Sequence, residues 1–381
     1  MSCLRRAFFT RSRLQVVFNT TETARTSLAL ACAALALAGC GEAAAERSSA
    51  PATPAQPRLA ADRLASSSGD ESPSQAQRLF SGDSIWNRKL TPEAQVDPSS
   101  PELVSALTSE VAREEGERAG PWINTTSYGV PILTVPATQP TVPVELDHAP
   151  DKALSSAWSA VPLPANAQPS SGSDGYLVVW QPSSDRMWEF WQLAHGEGGW
   201  SASWGGAIDH VSRDPGVYGP SAWPGAKPWW GATASSLALA AGVMTIEELQ
   251  AGRIEHALSI ALPDIRAGVF ASPAQRTDGS SSDPLALPEG AHLRIDPHLD
   301  LASLNMPPLV LAMAVAAQRY GIVVRDYASN IAFFGQDPTS SEGDPYRGAS
   351  GLFAGEEPDQ LLASFPWAHL QVLKMQLHPN P

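Results

Sequence analysis

Glu189, Asp209, His256, Arg276 and Asp278 are the side chains whose settings could support acid–base or charge-stabilising chemistry. Glu189 stands in Arg186-Met187-Trp188-Glu189-Phe190-Trp191. As a strand, that run puts Glu189 on the face of Met187, Trp191 and Leu193. A carboxylate among indoles has its charged form disfavoured, so its pKa rises toward what a general acid needs. The alternative is a structural ion pair or an exposed edge. His256 lies in Ile254–Leu262, where alternation groups it with Ile254, Leu258, Ile260 and Leu262. A buried imidazole needs a partner, so it is either a core group bonded to a carbonyl or a site residue facing a pocket. Arg276 and Asp278 sit in Arg276-Thr277-Asp278-Gly279, where Asp-Gly also has a plain turn-forming role. Arg325-Asp326 reads as a local salt bridge.

Two reactions fit these types. Glycoside hydrolysis uses two carboxyl groups across the bond, here Glu189 with Asp209 or Asp278. A polysaccharide lyase needs a base beside a uronate carboxylate, with His256 as base and Arg276 neutralising the charge. His195 and Asp209-His210 lack regular metal-ligand spacing, and there is no His-Glu-x-x-His helix, so no metal and no cofactor are expected. Nucleophile-elbow, P-loop and dinucleotide motifs are absent from the sequence.

The tryptophans point to a substrate class. Of twelve in the chain, Trp180, Trp188, Trp191, Trp200, Trp204, Trp223, Trp229 and Trp230 fall between Gly172 and Leu262. Flat indole faces stack on sugar rings, and Trp191, Trp204, Trp229 and Trp230 are the candidates for substrate binding. Their alternative use is to pin glycine-rich loops to the body.

The elements that must position these residues are short strands. Tyr176–Trp180 and Met187–Leu193 flank Pro182-Ser183-Ser184-Asp185 and predict a hairpin. Gly196–Gly206 and Val211–Trp230 read as loops, the second long enough to suggest a functional role. Val130–Val135, Val142–Leu146, Ile254–Leu262, His292–Ile295, Ile322–Val324 and Ile331–Phe334 read as further strands. Helices are expected with Ser100 as cap and Pro101 at the first position, ending in a charged turn at Arg113–Arg118, and over Leu309–Tyr320, stopped by Gly321. Thr245-Ile246-Glu247-Glu248 fits a capping box, with Gly252 closing that short helix. Short alternating strands and proline- and glycine-rich links predict a mainly β fold, a sandwich or jelly roll with a few peripheral helices. An α+β arrangement is the alternative, because the Leu309–Tyr320 helix runs directly into a strand.

The N-terminus belongs to targeting. Arg5, Arg6, Arg11, Arg13 and Arg25 precede the apolar run Leu28–Ala38, which ends Leu37-Ala38-Gly39-Cys40. This stretch resembles the lipobox of bacterial lipoproteins. The resemblance implies cleavage before Cys40, lipidation of Cys40 and attachment to the outer face of a membrane. Residues 1–39 are then a signal peptide and residues 40–78 a disordered Ala/Ser/Pro/Gln tether. Residues 79–381 form a single globular domain. Cleavage removes five arginines and one glutamate from a chain of net charge −14, leaving −18. So acidic a surface argues against nucleic acid as a partner. The body also resembles a group of exported bacterial proteins, through Trp230-Gly231-Ala232-Thr233-Ala234, Glu255-His256-Ala257-Leu258, Arg276-Thr277-Asp278-Gly279 and Ala317-Gln318-Arg319-Tyr320-Gly321. No activity is attached to that group, so the resemblance assigns no catalytic residue. The expectation is a lipid-anchored extracytoplasmic protein that cleaves polysaccharide as hydrolase or lyase, or binds it without catalysis. A purely structural envelope role stays open.

Overall fold

Short apolar runs separated by proline and glycine fold here into strands, as the composition requires. The structure, a computed structural model, describes residues 79–147, 151–341 and 343–380, all within one compact unit. The expected signal segment, Cys40 and the tether lie outside the described residues. In chain order the elements are α1 (Ser100–Glu117), β1 (Trp122–Asn124), β2 (Ile132–Thr134), β3 (Val144–Leu146), α2 (Lys152–Ala157), β4 (Leu177–Gln181), β5 (Arg186–Trp191), β6 (Ala194–Gly196), β7 (Gly199–Ala202) and β8 (Trp204–Asp209). They continue with α3 (Ile246–Ala251), β9 (Leu258–Leu262), β10 (Val269–Ala271), β11 (His292–Ile295), α4 (Pro308–Arg319), β12 (Ile322–Tyr327), β13 (Ala332–Phe334), α5 (Pro358–Leu362), β14 (Leu370–Val372) and β15 (Leu377–Pro379).

Strands dominate, in several sheets. The largest is six-stranded, in the order β1-β13-β9-β12-β11-β14, and mixes parallel with antiparallel pairs. A four-stranded sheet runs β2-β4-β5-β8, and β3-β7-β6 form a smaller one. Alternation makes the six-stranded sheet a middle layer. Leu258, Ile260, Ile322, Val324 and Phe333 enter a core shared with α1 and α4. Ala261, Val323 and Phe334 turn the other way, into a core shared with β4, β5, β8 and Trp86. The fold is therefore mainly β, and its second half has α+β character through the α4–β12 unit.

Local signals placed several elements well. The β4–β5 hairpin forms with Trp180 opposite Met187, and Asp185 closes its turn in the left-handed region at φ 52°. Thr245 and Glu248 make the capping box, and Gly252 ends α3 at φ 66°.

Other expectations are corrected. The Ser100 hydroxyl does not cap α1; it accepts from the Val372 amide at 2.8 Å, and the cap position falls on Ser99. The stretch Arg113–Arg118 is not a turn, because α1 continues to Glu117 and buries Glu114. A short helix, α2, capped by Asp151, follows β3 where no helix was expected. The Gly/Trp segment Gly196–Gly206 is not a loop: cross-strand bonding to β3 and β5 draws it into β7 and β8. Finally, β9 begins only at Leu258, so His256 lies before the strand rather than on its apolar face.

Candidate functional site

The segment Trp230–Ala241 covers the junction of the four- and six-stranded sheets, and charged groups hold it from both sides. Glu189, fully buried on the middle strand pairing of β5 with β4 and β8, accepts from the Ala232 amide at 2.8 Å and the Leu239 amide at 2.7 Å. Burial drives its carboxyl up to about 7, against the pull of those amides and of Arg325. Tyr218 lies beside it, in space that glycines leave open. A β-carbon on Gly206 would stand 2.4 Å from the Tyr218 ring, and one on Gly231, at φ 102°, would stand 2.6 Å away.

From the opposite side comes β12. Its register against β9 shifts between Val324 and Asp326, so a bulge lets both Arg325 and Asp326 reach the covering segment. The Arg325 guanidinium donates to the Leu239 carbonyl at 2.6 Å and the Ala241 carbonyl at 3.3 Å, and lies 3.8 Å over the Phe334 ring. Asp326 accepts from the Ala234 amide at 3.4 Å and from its neighbour Tyr327 at 3.0 Å. The expected local Arg325–Asp326 salt bridge is thus replaced by separate backbone bonds. Arg276 completes the hold, donating to the Thr233 carbonyl at 2.7 Å, the Gly231 carbonyl at 3.4 Å and the Ser236 hydroxyl at 2.9 Å.

The outer side of this arrangement is a cluster of carboxyl groups around one guanidinium. Burial, then Asp278 and Asp174, raise the Asp326 carboxyl to about 7, although Arg325 works against them. Burial and the neighbouring Asp326 push fully buried Glu289 well above its ordinary value. Burial holds Arg276 below its ordinary value, while Asp326, Glu289 and Asp278 support its charge. A carboxyl group that keeps its proton near neutrality, next to exposed Asp278, can donate a proton or a strong hydrogen bond.

Tryptophans adjoin the cluster. Trp191 donates to Asp174 at 3.3 Å. It sits opposite Trp204 in the β5–β8 register, which puts both indoles on one face. Trp204 donates in turn to the Trp229 carbonyl at 3.1 Å, and the Trp229 side chain is 48% exposed with Lys227 over its ring. Trp230 is different: it is fully buried and belongs to the core.

The residues singled out from sequence therefore divide into three places. Glu189 and Arg276 meet on the covering segment, with Asp278 beside them. Asp209 lies elsewhere, paired with Arg186 at 2.5 Å, and Arg186 in turn lies 4.3 Å over Trp223. His256 faces a separate cavity. Its Nδ1 lies 2.9 Å from the Ala257 carbonyl and its Nε2 3.2 Å from Glu248. His195 packs edge-on against Trp200. Among the described residues, no group of three His, Cys, Asp or Glu side chains is arranged to hold a metal ion.

Sequence reasoning missed Asp174, Glu289 and the part played by Arg325 and Asp326. Two charges inside the apolar strand Ile322–Tyr327 were the available signal for the last two. Glu289, in Leu287-Pro288-Glu289-Gly290, carried no signal.

No protein-family model, curated protein or solved structure matches this chain.

Proposed function

We propose that the protein is a lipid-anchored, extracytoplasmic protein that binds polysaccharide on the surface of Trp191, Trp204 and Trp229 beside the Arg276–Asp278–Asp326 cluster. The observation that carries the reading is the Trp191–Asp174 hydrogen bond, which joins an indole surface directly to a group of polar side chains. Sugars need that combination: an indole plane for the C–H face of the ring, and carboxylates and guanidinium for its hydroxyls.

The protein should bind a soluble polysaccharide from a panel of neutral, amino- and uronate-containing chains. Trp229→Ala and Trp191→Ala should each weaken that binding about tenfold, near 1.4 kcal/mol. Trp223→Ala, beside Arg186, should leave it unchanged. Equal affinity in all three variants would remove the tryptophan surface from consideration.

The raised Asp326 carboxyl favours a second reading, in which the same surface cleaves what it binds. Hydrolysis would release reducing ends, and a lyase would give unsaturated products. Either activity should disappear in Asp326→Asn while binding survives.

The anchoring reading rests on Leu37-Ala38-Gly39-Cys40. Among the described residues no helix is long and apolar enough to cross a membrane. Cys40→Ser should abolish incorporation of radiolabelled fatty acid and move the protein from the membrane to the soluble fraction. A fully labelled, membrane-bound variant would refute the assignment.

A further inference from the structure

A second feature lies apart from the tryptophan surface. A cavity of about 720 Å³ opens between the β2–β4 edge of the four-stranded sheet and the α3 region. That volume suits a small organic molecule. Ile132, Thr134, Trp180 and Pro182 form one wall; Trp86 and Ala240–Val243 contribute the apolar floor. The opposite wall is charged, carrying Glu247, Glu248, Arg253, Glu255 and His256.

The charges on this wall are not balanced. Arg253 pairs with Glu255 at 2.8 Å. His256 pairs with Glu248 at 3.2 Å, and its other nitrogen faces the Ala257 carbonyl at 2.9 Å. Glu255 and Glu248 thus each have a partner on this wall, and Glu247 remains. Its side chain is exposed and makes no ion pair among the described residues. Trp180, half-buried, presents an aromatic surface to the same space, and indole faces attract cations. The net charge of −14 on the chain raises the local concentration of cations.

We infer that this cavity is a binding site for a small organic cation, an aliphatic amine whose ammonium group meets Glu247 and whose carbon chain lies along Trp180 and the apolar floor. The site uses none of Trp191, Trp204, Trp229, Arg276, Asp278 or Asp326, so it stands or falls independently of the polysaccharide reading.

Calorimetric titration of the intact protein with n-pentylamine tests the inference, with 1-pentanol as an uncharged probe of the same length. Saturable binding of pentylamine at one site, and none of the alcohol, is expected. Glu247→Gln, a change at an exposed position, should weaken pentylamine about tenfold, and Trp180→Leu should do so to a similar extent. Trp229→Ala should leave the affinity unchanged. Absence of saturable binding at millimolar pentylamine would overturn the assignment. So would equal binding of the alcohol, or full affinity in Glu247→Gln.

Discussion

Arg325→Ala should destabilise the protein by about 3–5 kcal/mol, the largest loss expected from any single change around the covering segment. Arg325 is fully buried at the bulge of β12, and its guanidinium satisfies the carbonyls of Leu239 and Ala241 while stacking on Phe334. Alanine removes all three contacts and leaves two buried acceptors without a donor. It also withdraws the positive charge nearest Glu189 and Asp326, which both count Arg325 among the groups favouring their ionised forms. Arg325→Met should lose less, because the stem still packs on Phe334. Arg186→Ala is the useful contrast. Its pair with Asp209 is partly exposed and screened, so less than about 1 kcal/mol is expected there. Urea unfolding of the three variants checks the order. A loss below about 1 kcal/mol in Arg325→Ala would mean that water replaces the guanidinium on those carbonyls.

Stability should fall as pH rises from about 5 to about 8, opposite to the behaviour of a protein whose carboxylates are all stabilised in the fold. Glu114, Glu189 and Asp326 are buried, and burial raises each carboxyl to about 7. Where the folded pKa exceeds the unfolded one, the folded chain holds protons that the unfolded chain has lost. That contribution is complete below the unfolded pKa and disappears as pH climbs through the folded value. His292 acts the other way. Burial lowers it to about 4, so its contribution is present above its unfolded pKa and lost as pH falls toward 4. Burial also raises the Asp214 carboxyl to about 6 and Glu289 well above its ordinary value, so five carboxyls against one imidazole leave a net decline, on the order of several kcal/mol across the window. Urea midpoints at intervals between pH 5 and pH 8 measure it, and Glu114→Gln and Glu189→Gln should each flatten the slope. A rise in stability over the same range would show that amide donors, such as those of Ala232 and Leu239 to Glu189, keep these groups ionised in the fold.

What the sequence determined by itself was local. The β4–β5 hairpin, the capping box of α3, the apolar helix α4 and the stop at Gly321 all depend on residues within a few positions of each other. Their hydrogen bonds and turn geometry are therefore readable from type and spacing. The burial of Glu189 was legible too, because both faces of its strand are apolar. His256 was misplaced because period-two alternation cannot show where a strand starts. Pairing with β12 and β13 decides that, and it begins at Leu258. Only tertiary structure decided the rest. Glu189 and the segment it holds are up to 50 residues apart, and the bond from the Ile331 amide to Glu114 spans 217. Asp174, Arg276, Glu289 and Asp326 come together because a middle sheet threaded by distant strands brings four separate loops and strand ends to one edge. Nothing in the local spacing of any one of them carries the position of the others, since packing between layers, rather than hydrogen bonding along the chain, sets where they meet.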